Sequence, residues 1–366
     1  MRDAVIVDAV RTPLGKRGGG LSATHPARLS SSVLKALESR VGLDPAVVDD
    51  VILGCVTQVA EQAANVARYA ALGAGWPEEV PAVTIDRQCG SSQQAVHFAV
   101  AGVMSGQYDV AVAGGVEVIS RVPMGSTRIE GLGSSFGPDI ESRYGVKGFN
   151  QGVSADLIAR RWSLSRTQLD EHSLQSHARA AAAQDEGRYA AEIAAVETTD
   201  AAGQPVTIDA DEGVRRGGTL DSLAKLKPAF AEDGLTTAGS SSQISDGAAA
   251  LLICSSEVAR QHGWRPLARL HSFAVRGPNN SSQILDDVED GQIIEVTNYG
   301  EVAAVLIPPA ATPYERLLGA GTVRTSRPGP ARRLRSHRGL RRPVILLAIG
   351  VVLLYKRLHE LQGAVA

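Results

Sequence analysis

The feature that most constrains the fold is an alternation of short apolar runs with helical ones near the start of the chain. Residues 4–10, 48–56, 80–85 and 110–113 read as strands built almost wholly from apolar side chains. Residues 26–41 have helical periodicity, and 63–72 and 91–104 read as helices between them, the last rich in small residues. A strand with no polar face needs cover on both sides, and strand–helix alternation supplies it by laying helices on either face of one sheet. The pattern breaks between 120 and 244 into Gly-, Ser- and Arg-rich loops and polar helices, with one long helical stretch predicted at 155–187. Apolar strands return at 246–254 and 268–275, around a short helix at 257–263. The style then changes. Residues 283–288 read as a helix, and 292–297 and 302–307 as two alternating strands joined by Asn298-Tyr299-Gly300.

Composition narrows the function classes. An apolar content of 44% is ample for a core in a chain of 366 residues, a length that allows two or three domains. A net charge of −2 predicts no general affinity for nucleic acid. The three cysteines have no paired spacing, which points to a reducing, cytoplasmic setting rather than a disulfide framework. The N-terminus shows no signal-peptide pattern and begins directly as a strand. Late in the chain, 331–342 is Arg-rich and 344–355 is a run of 12 apolar residues. A membrane span needs about 18 or more, so a short buried or interfacial helix is expected there, with membrane association through 331–355 left open.

One cysteine stands out. Cys89 lies in Asp86-Arg87-Gln88-Cys89-Gly90-Ser91-Ser92, between the 80–85 strand and the 91–104 helix. That layout would bring a thiol to the first turn of a helix, where unpaired backbone N–H groups and the helix dipole favour a thiolate. Gly90 leaves room for a substrate to approach, and the chemistry suggested is a covalent intermediate on sulfur. Taken alone, strand–Cys–helix geometry fits an inert core cysteine more often than a nucleophile. Cys55 and Cys254, each in an apolar strand, keep that plain structural reading.

From Met1 to about Val275 the chain resembles a thiolase. The ordered markers are Arg11-Thr12-Pro13-Leu14-Gly15-Lys16, the Cys89 segment, Ala113-Gly114-Gly115-Val116-Glu117, Gln151-Gly152-Val153-Ser154-Ala155, the block from Leu220 to Phe230, and the block from Thr237 through Ser245-Asp246-Gly247. The resemblance implies an α/β fold: a thiolase-like half, with a mixed sheet covered by helices and an inserted loop domain, followed by a small α+β segment and an irregular tail. It divides the chain into the α/β half (1–120), the CoA-binding loop domain (121–245), the end of that half with the first strand of a second (246–275), the small α+β segment (276–330) and the Arg-rich and apolar tail (331–366).

The implied activity is acyl transfer between 3-ketoacyl-CoA and CoA through a Cys89 thioester, with acyl-CoA and CoA as substrates and no metal or cofactor. The resemblance also places CoA contacts. Arg215 would meet the nucleotide end, Ser222 the adenine and pantetheine wall with Leu223 and Phe230 as apolar neighbours, and Ser242 the pantetheine arm. It implies a homo-oligomer. Asn150-Gln151 stands where the family often has a His-Met pair, in a form similar to thiolases acting on longer or steroid-linked acyl chains.

The family's later motifs are absent. No Asn-Glu-Ala-Phe, no Gly-His-Pro and no late Cys-Gly-Gly-Gly occurs, and no cysteine follows Cys254. By resemblance those motifs carry an oxyanion-hole Asn, the His that deprotonates the nucleophile and a second, acid/base Cys. The expectation is therefore a truncated, impaired acyltransferase. Residues 281–330 resemble the body of a Phd-type antitoxin, which makes a toxin a candidate partner. The alternative is a non-catalytic thiolase remnant fused to that fragment and acting as an interaction module.

Overall fold

The computed structural model describes residues 2–146, 148–200, 202–273, 275, 294–298 and 301–306. The chain divides into two compact units, Asp8–Ile253 and Met1–Val7 with Cys254–Ala366.

The larger unit is built on a mixed sheet with strand order β4-β3-β5-β8-β1 and a short β2 on β8. Its strands are β1 (Ala4–Arg11), β2 (Gly15–Lys16), β3 (Asp50–Gly54), β4 (Ala82–Ile85), β5 (Val110–Val118) and β8 (Ser245–Cys254). β3 runs parallel to both β4 and β5, whereas β2 runs antiparallel to β8. Eight of the nine residues of β5 are buried, as are four of the five of β3, as expected of strands covered on both faces.

The register shows which helix covers which face. Leu53 of β3 pairs with Thr84 of β4, and the Thr84 hydroxyl accepts from the Ala67 N–H of α2 (Val66–Gly73) at 3.1 Å. The next pair, Gly54 and Ile85, faces the other way and meets the start of α3 (Ser91–Ser105). The third helix of this part, α1 (Pro26–Val41), packs against α2 and β5. Its boundaries follow from Pro26 at the first helical position and Gly42 in the left-handed region beyond its end.

The inserted segment holds α4 (Pro138–Tyr144), α5 (Gln151–Arg161), α6 (Arg166–Asp185), the antiparallel pair β6 (Val196–Thr199) and β7 (Pro205–Ile208), and α7 (Leu220–Ala224). The single helix expected over 155–187 is two helices. Ser163 takes a positive φ of 53°, and Ser165 opens α6 with a capping box to Gln168. A tether of opposite charges joins this insert to β1. The Arg11 side chain, 4% exposed, forms hydrogen bonds of 2.6 and 3.0 Å to the Asp211 carboxylate and one of 2.8 Å to Glu192, and its guanidinium lies 5.3 Å from the Tyr189 ring centre.

In the smaller unit Ala4, Val5 and Ile6 pair antiparallel with Leu270, Arg269 and Ala268 of β9 (Ala268–Leu270). α8 (Ser256–Gln261) starts at a Ser255 cap, and the Asp3 carboxylate accepts from the Ser256 N–H and hydroxyl. The strand expected at 268–275 ends at Leu270. β10 (Ile294–Asn298) and β11 (Glu301–Leu306) form the antiparallel hairpin expected from the sequence, with a register shift at Val296/Thr297. The helix expected at 283–288, most of the 281–330 antitoxin-like segment and the 331–355 tail lie outside the described residues. Among the described residues no helix is long and apolar enough to cross a membrane.

Candidate active site

Cys89 sits on the turn between β4 and α3, with its side chain exposed. It stands one residue ahead of the N-cap, Gly90, rather than within the first helical turn. Its φ is +59°, in the left-handed region that a residue with a Cβ seldom occupies. A nucleophile held on a strained strand–turn–helix corner is a recurrent way to project a reactive atom away from a sheet.

Local hydrogen bonds fix the corner. The Gly90 N–H donates to Arg87 O at 2.7 Å. The Ser91 hydroxyl donates to Arg87 O at 2.9 Å and accepts from Arg87 N–H at 3.0 Å. The Gln88 amide donates to both oxygens of Asp86.

Two glycines let the helix start rest on the sheet. Gly54 and Gly115 are register partners on β3 and β5. A Cβ on Gly54 would lie 2.3 Å from the Ser91 carbonyl carbon and the Ser92 nitrogen. A Cβ on Gly115 would lie 2.0 Å from Ser92 Oγ and 2.6 Å from Gly54 O. Neither glycine was singled out from the sequence, although a glycine inside an apolar strand is the usual sign of a close backbone approach. Just beyond β3, Glu117 accepts from Val56 N–H at 2.9 Å, Thr57 N–H at 3.3 Å and the fully buried Gln62 amide at 2.7 Å.

The other two thiols are of a different kind. Cys55 and Cys254 are buried, and burial first pushes each pKa up to about 12, with added repulsion from Glu117 on Cys55 and from Asp3 on Cys254. Both are protonated at neutral pH, in line with their structural reading. His97, further along α3, is buried, and its pKa is lowered first by that burial and then by Arg87.

The five residues expected to meet CoA all lie in the insert, on segments some of which are linked to one another. Arg215 and Ser222 are exposed, and Leu223 is half-buried. The Arg215 N–H donates to His177 Nδ1 at 3.2 Å, and the Ser222 hydroxyl closes a capping box with Thr219 at the start of α7. The Gln243 amide, next to exposed Ser242, donates to Gly213 O at 2.6 Å, which joins the Arg215 and Ser242 segments. Leu223 Cδ2 lies where a Cβ on Gly239 would be 2.8 Å away, which joins α7 to the Ser242 turn. Phe230 is 43% exposed, with its ring against Gly152 of α5.

A half-buried arginine paired with a buried carboxylate holds the α7 end of this surface. Arg166 donates to the carbonyls of Leu223 and Leu226 while held by Asp170 at 2.8 Å. No structural role for Arg11, Asp156 or Arg166 was legible in the sequence, because the groups they hold are remote in sequence, and the i,i+4 pair of Arg166 with Asp170 went unnoticed.

A separate cavity of about 370 Å³ is lined by Thr127, Arg128, Phe136, Phe149 and Asn150 among others, and includes none of the five residues or Cys89. The Asn150 side-chain oxygen caps α5 through Gly152 N–H at 2.9 Å. Among the described residues no cluster of three or more His, Cys, Asp or Glu could hold a metal ion.

The fold is a mixed α/β sheet with an exposed cysteine on a strand–turn–helix corner and a largely polar insert between β5 and β8. The family follows from comparison. A model of the thiolase N-terminal domain matches residues 4–257. The steroid 3-ketoacyl-CoA thiolase FadA6 of Mycobacterium tuberculosis is 46% identical over 284 residues, covering 75% of this chain and 68% of that protein. The 3-ketoacyl-CoA thiolase of Erwinia tasmaniensis is 44% identical over 280 residues, covering 76% and 71%. The crystal structure of the Bacillus anthracis acetyl-CoA acetyltransferase superposes with a TM-score of 0.65 at 35% identity, over 74% of this chain and 69% of that one. The chain belongs to the thiolase family.

Proposed function

We propose that the protein takes an acyl group from a 3-ketoacyl-CoA or acyl-CoA onto Cys89 and exchanges it with CoA. The observation that carries this reading is the single exposed cysteine, strained at φ +59° ahead of α3, beside two buried cysteines whose thiols stay protonated. In the first step the Cys89 sulfur attacks the 3-keto carbonyl and the bond between the α and β carbons breaks. The acetyl-CoA enolate that leaves takes a proton, and the acyl group remains as a thioester on Cys89. CoA then attacks that thioester, its sulfur takes the acyl group, and Cys89 recovers its proton. The Cys89 N–H is a donor for the oxyanion. Arg215, Ser222, Leu223, Phe230 and Ser242 form the wall for CoA.

The sequence holds no Gly-His-Pro and no cysteine after Cys254, the groups that by resemblance would serve as the base for Cys89 and as a second acid/base thiol. Groups that act as a unit lose orders of magnitude in rate when one is missing. The reading is therefore acylation with slow turnover. Thiolysis of acetoacetyl-CoA tests it. A rate well below that of a thiolase with all its motifs, yet above a Cys89→Ala control, is expected; a rate equal to the control removes the acyltransferase reading and leaves a non-catalytic thiolase-family protein.

A homo-oligomer is part of the same proposal. β4 is an edge strand of the larger unit's sheet, with Val83 exposed on it and Phe98 48% exposed on α3, and unpaired strand edges invite pairing. Sedimentation as a monomer at micromolar concentration would contradict it.

A further inference from the structure

We propose that Asp156 is a positioning residue for CoA, holding in place the 229–237 loop that presents Phe230. The inference rests on the CoA reading above. Asp156 lies on α5, is 3% exposed, and its Oδ1 accepts from Leu235 N–H at 3.0 Å and from Thr236 N–H at 2.7 Å. Its Oδ2 is buried and makes no hydrogen bond, so the carboxylate's hydrogen bonding is spent on this loop. The loop is closed on itself: Ala229 N–H donates to Thr236 O at 2.9 Å, Pro228 and Thr237 form an antiparallel bridge, and Gly234 N–H donates to Ala231 O at 3.0 Å. Phe230 sits near the start of that closed loop and leans on Gly152, where a Cβ would meet its ring at 2.0 Å.

Gly152 and Asp156 are four residues apart and so share one face of α5. That face holds the loop at three points: the Phe230 ring on Gly152, the Leu235–Thr236 backbone on Asp156, and Asp233, whose carbonyl accepts from Arg160 at 3.1 Å and whose carboxylate pairs with it at 2.8 Å. Removing the carboxylate leaves the Leu235 and Thr236 N–H groups without their acceptor and leaves the loop tied to α5 through the Gly152–Phe230 and Arg160–Asp233 contacts only. The wall then has to be ordered when CoA binds, which weakens binding.

The test is CoA affinity by calorimetry on the full chain, with wild type, Asp156→Ala, Asp156→Asn and Gly234→Ala. Asp156→Ala is expected to weaken CoA binding about tenfold, the effect of losing one to two charge-assisted hydrogen bonds. Asp156→Asn keeps an oxygen at Oδ1 and is expected to restore affinity to within about threefold. Gly234→Ala approaches from the loop side, since its Cβ would lie 2.5 Å from Asp156 Oδ2, and is expected to weaken CoA in the same direction. It is read in place of Asp156→Ala if that variant does not fold. Hydrogen exchange in peptides spanning 229–237 should quicken in Asp156→Ala, while the rate of Cys89 alkylation stays at the wild-type value.

Wild-type affinity in both Asp156→Ala and Gly234→Ala overturns the positioning role alone. Equal weakening in Asp156→Asn and Asp156→Ala also overturns it, because the charge and not the loop contact would then be responsible. A wild-type chain that binds no CoA overturns the CoA reading and this inference together.

Discussion

Gly115→Ala tests the claim that the Cys89 corner is held by backbone contact between α3 and the sheet. The added methyl would lie 2.0 Å from Ser92 Oγ, 2.6 Å from Gly54 O and 3.1 Å from Ser92 Cβ. The Ser92 hydroxyl can rotate away. The Gly54 carbonyl belongs to the neighbouring strand and cannot, since Gly54 and Gly115 are register partners in a buried part of the sheet. Relief therefore comes from lifting the start of α3. Overpacking of this kind costs about 1–3 kcal/mol, and a clash with fixed backbone belongs at the upper end. For a body of this size that is a fall in Tm of about 6–12 °C. Thermal unfolding followed by circular dichroism reads the fall, and iodoacetamide labelling of Cys89 in the folded variant should change in rate because its turn shifts with α3. The double variant Gly115→Ala/Ser92→Ala should recover only part of the loss. Wild-type Tm together with a wild-type labelling rate would refute the argument that these glycines set the position of Cys89.

Other outcomes follow from the same geometry. Arg11→Met should cost about 3–5 kcal/mol in urea unfolding, because it strands the buried Asp211 carboxylate, and a loss below 1 kcal/mol would show that the tether is not buried in solution. Cys89→Gly should stabilise the fold by about 1 kcal/mol by relieving the positive φ, whereas Cys89→Ala, which keeps a Cβ, should not; equal Tm values for the two variants would deny the strain. His97 has a pKa below its ordinary 6.5, so below that pH the unfolded chain binds the proton more readily. Stability should thus fall as pH drops through 6.5 toward the folded-state value, and His97→Gln should flatten that slope in denaturant titrations between pH 7.5 and 5; an unchanged slope would contradict the assignment.

Much of the α/β part was legible because local signals agree with the tertiary ones. Pro26 and Gly42 mark both ends of α1, and the all-apolar strands left no choice of face. The break between α5 and α6 was written in Ser165 and Gln168 as a capping box, yet the helix-favouring composition on either side of it suggested one helix. β5 continues to Val118 through Gly114 and Gly115, which look like strand breakers until β8 and α3 are seen to press against them.

The place of Cys89 between a strand and a helix was legible, but its left-handed φ was not, since no residue type in 86–91 specifies it. The buried ion pairs of Arg11 were not legible because its partners lie 181 and 200 positions away. Asp156 belongs to the marker block that opens at Gln151, but its role was not legible, since it holds backbone N–H groups that any sequence would supply.

The proposed role of Cys89 is that of a nucleophile able to hold an acyl group. The direct measurement is the intact mass of the protein after incubation with acetyl-CoA, followed by peptide mapping. In that step the Cys89 sulfur bonds the acetyl carbon, the bond to the CoA sulfur breaks, and CoA leaves with the proton. One acetyl group per chain is expected, located on Cys89, absent in Cys89→Ala and removed by added CoA. An unmodified Cys89, or acetylation that persists in Cys89→Ala, would contradict it.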